Sequence, residues 1–365
     1  MKTLGAEAGV WSVSEGDGVV VGVVDSGVNQ GHQDLTGQVL PGADFSGGNS
    51  DGRVDDKGHG TGIASLIAGH GHGAQEGVMG LAPKAKILPV KVGAEGDGSN
   101  PQQTGFADAI RFAVDHGANV VNLSLGGTFR LDTELRKAVN YAISKDVVLI
   151  AGVGNFGEDA DGVRYPAAFP GVVAVGAVDS KGDVWDRSTP GPETTLVAPG
   201  VDIYLATAKS STSYGAGDGT SEATAYVSAT AALIRSKYPS LSAGQVINRM
   251  IKTATPPANG TVVPNNHYGY GIVSPAKALE ANPAVDNGPR ENPLVKRAES
   301  HGTPPSDDET DPTDQPTVAP EANAGGGKGD GTGLVVAAGA VGAVVVGAAV
   351  GAVVVARRRR RRLGQ

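Results

Sequence analysis

Short runs of β-branched and apolar residues alternate with segments of helical periodicity along the N-terminal part of the chain. The predicted strands cover residues 19–24, 87–92, 119–125, 147–151 and 171–178. The predicted helices cover residues 60–69, 104–116, 132–145, 220–237 and 242–253. Strands that alternate with helices form parallel sheets, because each crossover helix packs on a face of the sheet. This order therefore predicts an α/β fold with a largely parallel central sheet and helices on both faces.

The composition agrees with one large core and excludes several classes of protein. The chain has 365 residues, of which 56 are glycine, and only 4% are aromatic, which suits a fold with many tight turns and close helix packing. It has no cysteine, so disulfides and cysteine-based metal sites are excluded. A formal charge of −8 argues against nucleic-acid binding by the bulk of the protein. No glycine-rich phosphate loop follows the first predicted strand, which disfavours a nucleotide-binding domain.

Three polar residues of complementary chemistry stand at the ends of predicted elements. Asp25 follows the first strand, His59 begins a helix, and Ser221 lies at the start of another. A serine hydroxyl becomes a strong nucleophile when an imidazole takes its proton, and a buried carboxylate orients that imidazole. Asp25 alone is equally well explained as a cap of the following turn. The three residues together favour nucleophilic catalysis.

The short motifs around these residues resemble those of a known enzyme family. Asp25-Ser26-Gly27, His59-Gly60-Thr61 and Gly219-Thr220-Ser221 resemble the signature blocks of subtilisin-like serine proteases and occur in the same order. Asn155, which follows the strand at 147–151, resembles the family's oxyanion-hole asparagine. The resemblance implies a serine endopeptidase with Asp25, His59 and Ser221 as its catalytic triad. Outside that context, a simple Asn-Phe-Gly turn is the better explanation of Asn155, and beside the other motifs the donor role is favoured.

The same resemblance assigns the substrate-binding residues and the main partner, a peptide or protein substrate. Ser124, Leu125 and Gly126 match the edge that pairs with extended substrate in these proteases, and Gly152 and Gly154 are expected near the same peptide. Main-chain hydrogen bonds of this kind supply affinity without selecting particular side chains.

Two residues after the serine depart from the family pattern. Glu222 and Ala225 stand where relatives usually carry an apolar residue and a proline. Alanine favours helix, so we expect the helix to persist, and we expect Glu222 to point to solvent. These departures leave open an alternative function, in which a weakly active or inactive domain serves as a peptide-binding or membrane-complex scaffold.

No metal or cofactor is expected, with calcium left undetermined. Asp51, Asp55 and Asp56 lie in the Gly- and Asp-rich segment 46–58, which we interpret as a solvated acidic loop in preference to a calcium site. The remaining histidines that we considered show no repeated ligand spacing and are expected to have no metal role: His32, His70, His72 and His116.

The composition changes abruptly after the catalytic motifs. Residues 1–282 are predicted to form the peptidase domain, and residues 283–332 to form a disordered linker rich in Pro, Asp and Gly. Residues 333–356 carry no charge and are long enough to form a transmembrane helix, because about 20 apolar residues span a bilayer. Residues 357–365, which begin with six arginines, are predicted to form a basic cytoplasmic tail.

These C-terminal features predict a single-pass protein of the cell membrane with its catalytic domain outside the cytoplasm. Such a topology requires export, whereas residues 1–7 lack the apolar stretch of a signal peptide, so we expect the natural start to lie upstream. The subtilisin-like domain, linker and membrane helix together resemble mycosins, membrane-anchored proteases of type VII secretion systems. The resemblance implies the lipid bilayer and a secretion-system membrane complex as partners.

Overall fold

The computed structural model describes residues 9–74, 76–93, 105–128 and 132–297. A seven-stranded sheet with the order β2-β3-β1-β4-β5-β6-β7 forms its centre, and every pair of neighbouring strands is parallel. The strands are β1 Val20–Asp25, β2 Ala43–Asp44, β3 Lys86–Lys91, β4 Val120–Leu123, β5 Val148–Gly152, β6 Val173–Val178 and β7 Thr194–Pro199. The predicted parallel α/β sheet is confirmed.

Helices cover both faces of the sheet. They are α1 His59–Ala68, α2 Phe106–Asp115, α3 Thr133–Ser144, α4 Thr220–Lys237, α5 Ala243–Thr253, α6 Pro275–Leu279 and α7 Pro283–Asp286, with a short 3₁₀ turn at Gly157–Asp159. Helices α1, α4 and α5 share one apolar core, and α2 and α3 share the other. An antiparallel hairpin, β8 Ile203–Ala206 and β9 Tyr214–Gly217, packs against α1.

Strand β1 shows how the sequence positions the site. Its residues Val21 and Val23 contact the α1/α4 core, whereas Val24 contacts the α2/α3 core. A central parallel strand is apolar on both sides for this reason. Asp25 follows as the last residue of β1, at the carboxyl edge of the sheet, where α/β proteins place their functional groups.

Helix α4 crosses directly beneath the sheet and delivers Ser221 to the same edge. Its alanines Ala223, Ala225 and Ala229 are completely buried, which lets the helix axis approach the strands closely. The helix is continuous through Ala225, as predicted, because alanine keeps the backbone donor that proline lacks.

The folded domain extends beyond the predicted boundary. We expected disorder from residue 283, but α7 begins there, and Val285 and Leu294 are buried. Arg297 donates hydrogen bonds to the carbonyl oxygens of Ala167 and Phe169, at 2.9 and 2.8 Å. The prediction of disorder was wrong for residues 283–297. This segment is held by the Arg297 guanidinium and a few scattered apolar side chains, so its sequence has no hydrophobic periodicity from which order could be predicted.

Among the helices in the described part of the chain, none is long and apolar enough to cross a membrane. The predicted transmembrane helix at 333–356, the basic tail at 357–365 and the linker beyond Arg297 lie outside the described residues.

Candidate active site

Asp25 and His59 form a close pair at the carboxyl edge of the sheet. Asp25 is completely buried, and its two carboxylate oxygens lie 2.8 and 2.9 Å from Nδ1 of His59, the first residue of α1. The backbone N–H of Ser26 donates to the same carboxylate at 2.7 Å. The carboxylate therefore holds the imidazole by Nδ1 and leaves Nε2 available to carry a proton.

Asp55 builds the start of α1 and so positions His59. Its carboxylate accepts hydrogen bonds from the backbone N–H groups of Gly58 (2.7 Å) and Thr61 (2.9 Å) and from the hydroxyls of Ser26 (2.9 Å) and Thr61 (2.6 Å). A carboxylate at a helix N-terminus satisfies donors that the helix itself leaves unpaired. Asp55 is 8% exposed, so the expectation of a solvated acidic loop was wrong at this residue.

The other two carboxylates of this loop point elsewhere. Asp51 pairs with Arg53, and Asp56 pairs with Lys91 at 2.7 Å. Within the residues that the structure describes, no group of three or more His, Cys, Asp or Glu side chains converges to hold a metal ion.

Ser221 lies in the first turn of α4 and is tied to the chain after β4. Its hydroxyl donates to the carbonyl oxygen of Ser124 at 2.9 Å, and the Ser124 hydroxyl in turn contacts the carbonyl oxygen of Ser221 at 3.0 Å. Proton transfer to His59 requires the Ser221 hydroxyl to rotate away from Ser124. Catalytic hydrogen bonds commonly form only once substrate is bound.

A cleft of about 250 Å³ brings the predicted site residues together. Every predicted site residue except Asp25, which lies behind His59, lines it: His59, Ser124, Leu125, Gly126, Gly152, Gly154, Asn155 and Ser221. The sequence analysis missed Phe156, Arg164 and Thr220, which also line the cleft. In the sequence they are marked only by their neighbours: Phe156 follows Asn155, Arg164 precedes Tyr165-Pro166, and Thr220 precedes Ser221. A larger cavity of about 530 Å³ near α5 contains no serine or histidine.

Asn155 is oriented by Thr220, the residue before Ser221. Its Oδ1 accepts hydrogen bonds from the backbone N–H and the hydroxyl of Thr220, both at 2.9 Å. These bonds fix the amide plane and leave Nδ2 as the free donor. A Cβ placed on Gly219 would lie 3.2 Å from that nitrogen, so the donor is beside the start of α4.

The protonated, positively charged form of His59 is favoured by its surroundings. Burial lowers its pKa, but the charge and hydrogen bond of Asp25 and the charges of Glu222 and Asp55 together outweigh this effect, so the pKa of His59 rises to about 9. The imidazole is 38% exposed, and solvent on that side weakens each of these interactions.

We predicted that Glu222 points to solvent, and this prediction was wrong. It is 6% exposed, and its carboxylate lies against the backbone of Gly217 and Gly219, where an added Cβ would approach its oxygens to 2.2 and 2.8 Å. Burial raises the pKa of Glu222, although its own backbone N–H and the charge of His59 act in the opposite direction. The departure from the motif thus places a buried carboxylate next to Ser221 in the chain, within electrostatic reach of His59.

Comparison with known proteins agrees with this geometry. Residues 16–271 match the model of the subtilase family. The chain is 36% identical over 269 residues to Subtilisin DY of Bacillus licheniformis, covering 73% of this chain and 92% of that protein. It is 37% identical over 270 residues to thermitase of Thermoactinomyces vulgaris, covering 74% and 91%. The MycP3 protease from the type VII (ESX-3) secretion system has a similar structure, with a TM-score of 0.67 and 31% identity over 77% of this chain and 87% of that one. The chain therefore belongs to the subtilase family and is a subtilisin-like serine endopeptidase.

Proposed function

We propose that Asp25, His59 and Ser221 hydrolyse peptide bonds as a catalytic triad. The observation that carries this proposal is the buried Asp25 carboxylate holding His59 by Nδ1 while His59 and Ser221 line one cleft. A buried carboxylate, an imidazole and a hydroxyl at one sheet edge are the three groups that acyl transfer to serine requires.

In the first half of the reaction, the Ser221 oxygen attacks the substrate carbonyl carbon while Nε2 of His59 takes the hydroxyl proton. Asp25 stabilises the imidazolium that results. The oxyanion accepts hydrogen bonds from Nδ2 of Asn155 and from the backbone N–H of Ser221. His59 then gives its proton to the leaving amine, and in the second half it activates the water that releases the acyl group.

The substrate backbone extends along residues 124–126 and 152–154, two segments whose residues line the cleft. Gly126, Gly152 and Gly154 present backbone without side chains there, so an extended peptide can approach closely. Main-chain pairing of this type holds the scissile carbonyl near Ser221.

A fluorophosphonate probe tests the triad directly, since it reacts with an activated serine. We expect the purified full chain to gain one adduct, and peptide mapping by mass spectrometry to place it on Ser221. Labelling should increase with pH as His59 loses its proton. A folded chain that gains no adduct, or gains it on another serine, would contradict the proposed triad.

The pH dependence of hydrolysis tests the role of Glu222. Neutral His59 is the general base, so kcat/KM should rise with pH to a midpoint near the pKa of about 9. Replacing Glu222 with glutamine removes a negative charge that favours the imidazolium, so we expect the midpoint to fall by roughly half a pH unit. At neutral pH the variant should then be about threefold more active, because more of its His59 is neutral. Initial rates from pH 6 to 10 measure both effects.

Glu158→Gln is the matched control for this charge change. Glu158 lies in the 3₁₀ turn after Asn155 with 75% of its side chain exposed, and its replacement should leave the midpoint unmoved. The stability of the fold changes with pH in the opposite direction to activity. Protonated His59 stabilises the fold below about pH 6.5, and this contribution disappears as the pH rises through about 9. An unchanged midpoint in Glu222→Gln would show that Glu222 does not act on His59.

The raised pKa of His59 also supports a second candidate function. A domain whose general base is mostly protonated near neutral pH could bind peptides or a membrane complex with little turnover. The two functions differ in one observable result, since a slow protease becomes active at high pH and a scaffold does not.

We further propose that the protease is anchored in the cell membrane by residues 333–356, with the catalytic domain outside the cytoplasm. The uncharged segment and the six arginines after it support this topology. The similarity to the MycP3 protease supports an association with a secretion-system membrane complex. Alkaline extraction of membranes should release a chain that ends at residue 332 and retain the full chain; release of both would contradict anchoring.

A further inference from the structure

Arg164 lies between the two backbone segments that border the active-site cleft. A Cβ placed on Gly154 would lie 2.8 Å from Cγ of Arg164, and one placed on Gly126 would lie 3.4 Å from its Cβ. The stem of Arg164 therefore occupies the space that these glycines leave open. Its own backbone N–H donates to the carbonyl oxygen of Val153 at 3.0 Å, which fixes its position beside the cleft.

The guanidinium of Arg164 lies over an aromatic ring. It stacks over the ring of Phe156, with 4.2 Å between the guanidinium carbon and the ring centroid. No carboxylate of the described residues forms an ion pair with it. Two carboxylates that act on His59, those of Asp25 and Glu222, are buried. Arg164 is thus the one permanently charged side chain lining the cleft in the described part of the chain.

Substrate geometry brings one side chain to this arginine. When a carbonyl carbon lies beside Ser221 and its oxygen beside Asn155, the Cα bonded to that carbon lies over the cleft between residues 124–126 and 152–154. The side chain on that Cα belongs to the residue immediately before the scissile bond. It extends into the cleft that Phe156 and Arg164 help to line.

We propose that Arg164 is a specificity-determining residue that selects peptides with glutamate or aspartate immediately before the scissile bond. The inference rests on the proposed peptidase mechanism and adds its substrate class. A guanidinium binds a carboxylate through two parallel charge-assisted hydrogen bonds, and the Phe156 ring limits the orientations that it can adopt. A lysine at the same substrate position is repelled.

Four fluorogenic peptides that differ only before the scissile bond test this assignment on the full chain. With Glu, Gln, Phe or Lys at that position, we expect kcat/KM for Glu to exceed that for Gln by about ten- to a hundredfold, with Lys lowest. The advantage of Glu should shrink as salt is added, because salt screens partly exposed charges. In Arg164→Gln the ratio of Glu to Gln should fall to near one. In Arg164→Glu the order of Glu and Lys should reverse, which a purely structural role cannot produce.

Arg187→Gln is the matched control. Arg187 is a second arginine near the cleft, since it donates a hydrogen bond to the carbonyl oxygen of Asn155 at 3.3 Å. Its replacement should leave the ratio of Glu to Gln unchanged. Hydrolysis of the Phe or Gln peptide without preference for Glu would overturn the assignment of Arg164 and leave the peptidase mechanism intact. Failure to hydrolyse any of the four peptides, together with no fluorophosphonate adduct, would overturn the mechanism itself.

Discussion

Replacing Ser221 with alanine is expected to reduce kcat for peptide hydrolysis by about 10⁶-fold, the scale found when the nucleophile is removed from a subtilisin. The variant retains Asp25, His59 and Asn155 but has no oxygen to form the acyl intermediate. The Asn155 donor and substrate binding should still leave a residual rate about 10³-fold above that of the uncatalysed reaction. Continuous assays with a peptide anilide at about pH 9 measure the loss.

A second alanine substitution on the same helix separates this effect from folding. Ser236 lies near the C-terminal end of α4, and its hydroxyl donates to the carbonyl oxygen of Asp17 at 2.8 Å, far from the cleft. Ser236→Ala should retain full activity. If Ser221→Ala folded normally and kept more than a tenth of the activity, Ser221 would not be the nucleophile. Cells in which Ser221→Ala supports normal function would favour the scaffold role.

Local sequence predicted the elements that carry the chemistry because those elements are stabilised by their own patterns. Helix α4 was predicted at residues 220–237 and is found there, since its alanines and its glycine-flanked start are local features. Strand β1 was predicted from its β-branched run, which ends at Asp25.

The errors concern residues whose environment is created by distant segments. Glu222 is buried because β9 brings Gly217 against its carboxylate, and the hairpin containing β9 has no apolar alternation that would predict it. Asp55 is buried because it caps α1 and receives the hydroxyl of Ser26, which comes from the end of β1. Arg164 could be placed in the cleft only after the approach of Gly126 and Gly154 was known.

Replacing Asp25 with asparagine is expected to lower kcat/KM by about 10⁴-fold, although the side chain keeps its shape. Asp25 accepts from Nδ1 of His59 through both oxygens, so the neutral ring carries its proton on Nδ1 and leaves Nε2 bare, as the proposed proton transfer from Ser221 requires. The amide group of asparagine can instead donate to Nδ1, which moves the ring proton to Nε2 and removes the base. The missing carboxylate also lowers the pKa of His59, so a higher pH should not restore the rate.

Asp34 provides a matched control for this experiment, because it forms the same kind of pair elsewhere. Asp34 is completely buried, and its carboxylate lies 2.6 Å from Nδ1 of His72, outside the cleft. Asp34→Asn should lower Tm through the loss of a buried charge partner, while kcat of the folded protein stays within about twofold of the unsubstituted enzyme. A tenfold or smaller loss in folded Asp25→Asn would show that the carboxylate does not set the His59 tautomer. A comparable loss of kcat in Asp34→Asn would mean that both substitutions act through the fold.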